Sequence, residues 1–258
     1  MREFVPNMGG ISVKNTVALL TVAGLATAAS AGGQVIAFTS FENAFVGDQY
    51  VDTGDASVDH DLVNNAGQSD VDFLADGVEI GFDSFYFNSR NDVGLTDGDF
   101  VGATNFTGTV GAFTDGVQGF ELQDADGTMR TTFDTVTSPL GAPRVEFEWS
   151  LCLDYFVQET GWESDDRIRI WVDADGTEID LLNTAGSDID DLGIEDGWRT
   201  AVLNLTGYAN VTLMVELESN SGSESLYLDN IVFKTGIPTP GSLALLGLGG
   251  LAATRRRR

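Results

Sequence analysis

From residue 33 to residue 235 the chain is written almost wholly in period two. In 167–172, Ile168, Ile170 and Val172 alternate with Arg167, Arg169 and Trp171. In 144–157, Val145, Phe147 and Trp149 alternate with Glu146 and Glu148. Successive strand side chains point to opposite faces, so this pattern calls for half-buried β-structure. Helical spacing is almost absent over the same stretch. Nine further runs rich in Val, Phe, Ile and Thr also read as strands: 34–41, 77–88, 100–106, 119–123, 129–133, 178–182, 198–205, 211–217 and 226–233. Eleven strands joined by Gly-, Asn- and Asp-rich turns predict an all-β fold, a two-sheet antiparallel sandwich. Two turns share the sequence Asp-Ala-Asp-Gly, Asp124 to Gly127 and Asp173 to Gly176. Asp tolerates a tight turn and Gly supplies positive φ, so both read as hairpin turns. Neither has the alternate oxygens and the twelfth-position glutamate of a calcium loop.

Charge narrows what such a sandwich binds. The chain carries 13 basic and 40 acidic residues. Six of the basic ones, Arg2, Lys14 and Arg255 to Arg258, lie in the terminal segments, as does Glu3. Seven basic residues face 39 acidic ones in between, a formal charge of −32. Such a surface repels phosphate backbones and excludes nucleic acid as a partner. It also demands screening, by salt or by bound cations. Cys152 is the sole cysteine and His60 the sole histidine, which rules out an intramolecular disulfide and a Cys/His zinc site. Cys152, within Trp149-Ser150-Leu151-Cys152-Leu153, reads as a small buried residue.

Both ends read as addresses. Arg2 and Lys14 precede an apolar, small-residue run at 17–29, and Ala29-Ser30-Ala31 is a small-x-small cleavage site. Residues 1–31 are therefore expected to be a secretory signal peptide, ahead of a single sandwich domain at 33–235. At the other end, Pro238-Thr239-Pro240 is followed by an apolar run at 243–253, expected to be a short helix, and by Arg255, Arg256, Arg257 and Arg258. The 13 residues of 242–254 fall short of the roughly 17 to 25 that span a bilayer. A transient, processed anchor is expected, with its basic end on the cytoplasmic side. Residues 237–258 resemble the PEP-CTERM sorting signal of bacteria that secrete exopolysaccharide, with Thr239 in place of the usual glutamate. The resemblance implies recognition by an exosortase-type sorting enzyme and passing contact with the inner membrane. Export to the cell surface or extracellular matrix would follow.

The sandwich opens with Thr39-Ser40-Phe41-Glu42 and closes with Leu226-Tyr227-Leu228-Asp229-Asn230-Ile231. These two strand ends resemble the jelly roll of many carbohydrate-binding modules, where first and last strands lie close and their carboxylates hold a structural Ca²⁺. The resemblance implies Glu42 and Asp229 as calcium ligands. Asp48 and Asp52, in the loop that follows, would add further oxygens toward the six to eight that calcium takes. Sugars stack on aromatic faces, which makes Tyr86, Trp162 and Trp171 the candidate platform for an extracellular polysaccharide. Glu178-Ile179-Asp180 is similar to the catalytic strand of laminarinase-like glycosidases, which needs Glu-x-Asp-x-x-Glu. Asn183 stands at the last position, so one of the two catalytic carboxylates is missing. The expectation is a non-catalytic surface or matrix protein with structural calcium. A carbohydrate-binding or adhesive module is the alternative, and a degenerate glycosidase a more distant one.

Overall fold

The computed structural model describes residues 33–236 apart from 91–94, 96–99, 142, 144, 146, 159 and 160. The expected signal peptide, the sorting motif at Pro238, Thr239 and Pro240, the apolar tail and the arginines 255–258 lie outside the described residues. The chain divides into two units, 1–30 and 31–258, and every described residue belongs to the second. Among the described residues all regular structure is β, and no helix is long and apolar enough to cross a membrane.

Fourteen strands run in order: β1 (Val35–Thr39), β2 (His60–Asp61), β3 (Asp72–Phe73), β4 (Phe82–Phe87), β5 (Phe100–Thr104), β6 (Gly119–Gln123), β7 (Gly127–Phe133), β8 (Val136–Thr137), β9 (Trp149–Val157), β10 (Arg167–Ala174), β11 (Thr177–Asn183), β12 (Arg199–Asn204), β13 (Asn210–Ser219) and β14 (Ser225–Thr235). They form two sheets of antiparallel pairs. One has six strands, ordered β12-β9-β14-β6-β5, with β1 also on β14. The other has eight, ordered β11-β10-β13-β7-β4-β2, with β3 on β4 and β8 on β13. All eleven expected strands are present. The three unforeseen ones, β2, β3 and β8, are two residues each and too short to show a period. Several expected strands are shorter than read, two of them by five residues or more. Residues 77–81 form a turn ahead of β4, and β9 begins only at Trp149, with Val145 81% exposed outside it.

The core lies between the sheets. Val211, Leu213, Val215 and Leu217 of β13 face inward, as do Ile168, Ile170 and Val172 of β10, all fully buried. Phe41, Phe82, Phe120 and Phe133 meet at its centre, with ring centroids 5.0–6.2 Å apart. On β14 the inward set changes phase, from Leu226 and Leu228 to Ile231 and Phe233. The pairing register with β9 shifts between Asp229 and Val232, and Asn230 takes φ 49°. An inserted residue at a β-bulge accounts for the slip, and Asn tolerates the left-handed region. Cys152 is buried at 9% exposure, as expected.

The two Asp-Ala-Asp-Gly turns have different fates. Asp173 to Gly176 closes the β10–β11 hairpin, with Ala174 opposite Thr177 and positive φ at Asp175 and Gly176. Asp124 to Gly127 is not a hairpin, because β6 and β7 belong to different sheets. There Asp124 and Asp126 take the positive φ values and Ala125 is fully buried, so the turn carries the chain across the core. A four-residue motif encodes the bend, but not whether the next strand pairs with the last.

Candidate functional site

The four residues expected around calcium do not form one shell. Asp229 sits at the β14 bulge, completely buried. Its Oδ2 accepts hydrogen bonds from Thr114 N (2.6 Å), Thr114 Oγ1 (2.9 Å) and Asp115 N (2.8 Å), and its Oδ1 accepts from Asn230 N (2.6 Å). Burial, opposed by these bonds, pushes its carboxyl up to about 6. Oε1 of Glu42 accepts from Val117 N (2.6 Å) and Gln118 N (2.7 Å). Both carboxylates thus converge on one loop, 114–118, and hold it through backbone N–H groups. Asp229 Oδ2 and Glu42 Oε1 are filled by these donors, so those two oxygens are not the ones a cation would meet. Asp48 lies apart in an exposed loop, where its backbone bonds Gly67 and Ser69. Asp52 is paired with the His60 ring, Oδ2 to Nε2 at 2.8 Å, and accepts from Gly54 N.

A third carboxylate, Glu79, shares in the Glu42 turn. It is 3% exposed and accepts from Ser40 N and Asn43 N, both at 2.9 Å, and more weakly from Glu42 N at 3.3 Å. The turn places Phe41 at φ 62°, a conformation costly for an aromatic residue, and Glu79 holds it there. Removing the acceptor leaves buried N–H groups unpaired. Glu79→Ala should therefore lower stability by about 2–4 kcal/mol in urea unfolding, whereas Glu79→Gln should lose less.

Two of the three expected platform aromatics are core residues. Tyr86 is fully buried because β4 turns Phe82, Ser84 and Tyr86 inward. Trp162 is 3% exposed, packs with the main core, and donates Nε1–H to the Gln158 carbonyl at 2.9 Å. Neither offers a ring face to a ligand. Trp171 is also nearly buried, but from the other side: it lies on the outer face of the eight-stranded sheet under two arginines.

On that outer face, strand register aligns Phe85, Arg130, Glu216, Arg169 and Asn183 in one row across β4, β7, β13, β10 and β11. Flanking rows hold Phe87, Thr128, Glu218 and Arg167 on one side, and Thr132, Met214, Trp171 and Asp180 on the other. The Arg130 guanidinium lies 4.6 Å from the Phe87 ring centre and 5.4 Å from that of Trp171. Arg169 lies 4.3 Å from Trp171. Phe85 and Phe87, both half-buried, have ring centres 4.6 Å apart. Three of the seven basic residues between the terminal segments therefore share this face. The N–H groups of Arg130 Nε, Arg167 Nε and Trp171 Nε1 are buried and have no acceptor among the described residues. Sequence reading placed Arg167, Arg169 and Trp171 on one strand face. It missed Phe85, Phe87 and Arg130, because their meeting depends on the pairing of β4, β7 and β13, which no local pattern carries.

The strand similar to a glycosidase motif is β11, on the edge of the same face. Arg169 Nη2 lies 2.7 Å from Glu178 Oε2 and its Nε 2.7 Å from Asp180 Oδ1, while Asn183 Nδ2 donates to Asp180 Oδ2. Asn183 first, then Arg169, holds the Asp180 carboxyl below its ordinary value.

No family model matches the chain, and no curated protein sequence matches it. Solved structures with a similar arrangement include a Stig cyclase from Fischerella, at 10% identity over 61% of this chain and 86% of that one, TM-score 0.38. The CBM22-1 xylan-binding domain from Paenibacillus barcinonensis matches at 10% identity over 79% and 96%, TM-score 0.33. The K3 cleaved adhesin domain of Lys-gingipain from Porphyromonas gingivalis matches at 14% over 80% and 100%, TM-score 0.33. At this level of likeness none of them bears on ligand or reaction.

Proposed function

We propose that this chain is an exported, non-catalytic β-sandwich of jelly-roll type that binds polysaccharide on the outer face of its eight-stranded sheet. The observation that carries the reading is the gathering of half-buried Phe85 and Phe87 with three arginines, packed over buried Trp171, on one face of a strongly acidic protein. Sugar rings stack on aromatic faces, and guanidinium–carboxylate pairs bond vicinal hydroxyls. The arginines are balanced by Glu216, Glu178 and Asp180, which favours a neutral glycan over an anionic one. Export to the surface or matrix, through an exosortase-type enzyme, rests on the sequence of the two ends. Non-catalysis is supported by β11, where Glu178 and Asp180 share one arginine. A glycosidase acid needs a carboxyl held protonated, and the Asp180 carboxyl is lowered instead.

Affinity electrophoresis through neutral and acidic polysaccharides tests the binding. Retardation by a neutral glycan is expected, with Phe87→Ala and Arg169→Ala each weakening it about tenfold, which corresponds to about 1.4 kcal/mol. Retardation by none of the gels, or undiminished retardation of both variants, would remove this face from consideration.

A further inference from the structure

We propose that Glu163, Asp166 and Glu224 form a binding site for a hard divalent cation of the calcium class, at the end of the sandwich where the chain crosses twice between the sheets. One crossing joins β9 of the six-stranded sheet to β10 of the eight-stranded one and carries Glu163 and Asp166. The other is 220–224, from β13 back to β14. Their strand ends lie side by side, with Gln158 N donating to the carbonyl of Ser225, the first residue of β14, at 3.0 Å. One carboxylate oxygen from each of the three residues lies within 4.8 Å of the others.

Acidic side chains cluster without ions on many surfaces, but two of these three are not on the surface. Asp166 is 3% exposed and Glu224 1%. Glu224 Oε2 accepts from Asn220 N at 3.0 Å and Asp166 Oδ2 from Glu163 N at 2.6 Å, while Glu224 Oε1 is buried with no hydrogen-bond donor among the described residues. A buried, unpaired carboxylate oxygen beside two other carboxylates carries a large desolvation cost unless a cation or a proton neutralises it. The nearby arginine does not fill that role. Arg90 Nη2 bonds Asp166 Oδ1 at 2.8 Å, and its other nitrogens lie 3.6 Å from Asp165 and 3.7 Å from Glu218. Its single charge is spread over three carboxylates, and the described ion pairs join it to neither Glu163 nor Glu224. Calcium takes six to eight oxygens, and three carboxylates with water complete such a shell. An open polar cleft of about 390 Å³ is lined by Arg90 and Asn220, which bond Asp166 and Glu224, together with Ser89, Asp165 and Glu218. A cation here would bind the two crossings together, and so the sheets.

The site has a built-in reporter, because Trp162 precedes Glu163 in the chain. The test uses the full chain, stripped with a chelator and then titrated with Ca²⁺, Mg²⁺ or Tb³⁺ alone. Tb³⁺ luminescence excited through tryptophan is expected, and Ca²⁺ should quench it by competition. At a hundredfold excess over its Kd, Ca²⁺ should raise the thermal midpoint by about 5–10 °C. Glu224→Gln keeps the shape and the Asn220 bond but should lose both signals. Asp48→Asn, in a remote acidic loop, should keep both. The proposal is overturned if no metal shifts the wild-type midpoint. It is equally overturned if the shift and the luminescence survive in Glu224→Gln, which would place the ion elsewhere. Metal-independent stabilisation by Glu224→Gln, with no wild-type metal response, would assign the cluster to a shared proton.

Discussion

Glu121→Gln is expected to stabilise the protein at pH 8 by about 3 kcal/mol, and at pH 5 by less than about 1 kcal/mol. Glu121 lies on the outer side of β6, opposite Tyr227 of β14, beside the small cluster of Val110, Phe113, Phe156 and Tyr227. It is 3% exposed, and its Oε1 accepts the Tyr227 hydroxyl at 2.6 Å. Burial pushes its carboxyl up to about 7 against the lowering effect of the bonds from Tyr227 and Thr104. The folded state therefore holds a proton that the unfolded chain releases near 4.5. Stability from this group is full below the unfolded value and is lost as the pH rises toward 7. A glutamine keeps an acceptor for Tyr227 and carries no charge to desolvate, so its advantage appears only where Glu121 is ionised. Thermal unfolding at the two pH values measures this, with a midpoint rise of about 6–12 °C at pH 8 and little at pH 5. An equal rise at both would show that ionisation is not the cause. Burial pushes Asp229 and Asp166 up in the same direction, so the wild-type protein should gain stability as the pH falls from 8 to 5.

Asp229→Ala should be the most damaging single change among the acidic residues, costing about 3–5 kcal/mol in urea unfolding. It removes the acceptor for Thr114 N, Thr114 Oγ1 and Asp115 N, and also that for Asn230 N at the bulge. The second anchor of loop 114–118, Glu42, is on the exposed side, and Glu42→Ala should cost much less. Amide exchange at Thr114 and Asp115 should speed up in Asp229→Ala before global unfolding does. Because amides and not an ion fill the Asp229 oxygens, the loss should be the same with and without chelator. A calcium-dependent difference would return a cation to this position.

The candidate ligand set shows where sequence reading reached its limit. Glu42 and Asp229 are implied by the resemblance of a first strand ending in Phe-Glu and a last strand carrying Asp-Asn to jelly-roll binding modules, and the structure does bring both to one loop. What they hold there is a run of N–H groups, which no property of the two acids announces. Glu163 and Glu224 lie 61 residues apart in polar loops and carry no motif, so only the crossing of two connections at one end of the sandwich unites them. The aromatics followed the same rule. Strand alternation put Tyr86 opposite to Phe85 and Phe87, but which side was the core depended on the sheet behind it.

The sequence by itself determined that residues 33 to 235 form strands, where most of those strands lie, and that their surface is acidic. Those properties are local: a period of two, turn residues that tolerate positive φ, and a sum of charges. Only the tertiary structure decided which strands share a sheet, why identical Asp-Ala-Asp-Gly turns make a hairpin in one place and a crossing in the other, and which acids meet. Those outcomes depend on hydrogen bonding and burial between segments far apart in the chain. A side chain's neighbours across a sheet are set by its partner strands and not by its neighbours in sequence.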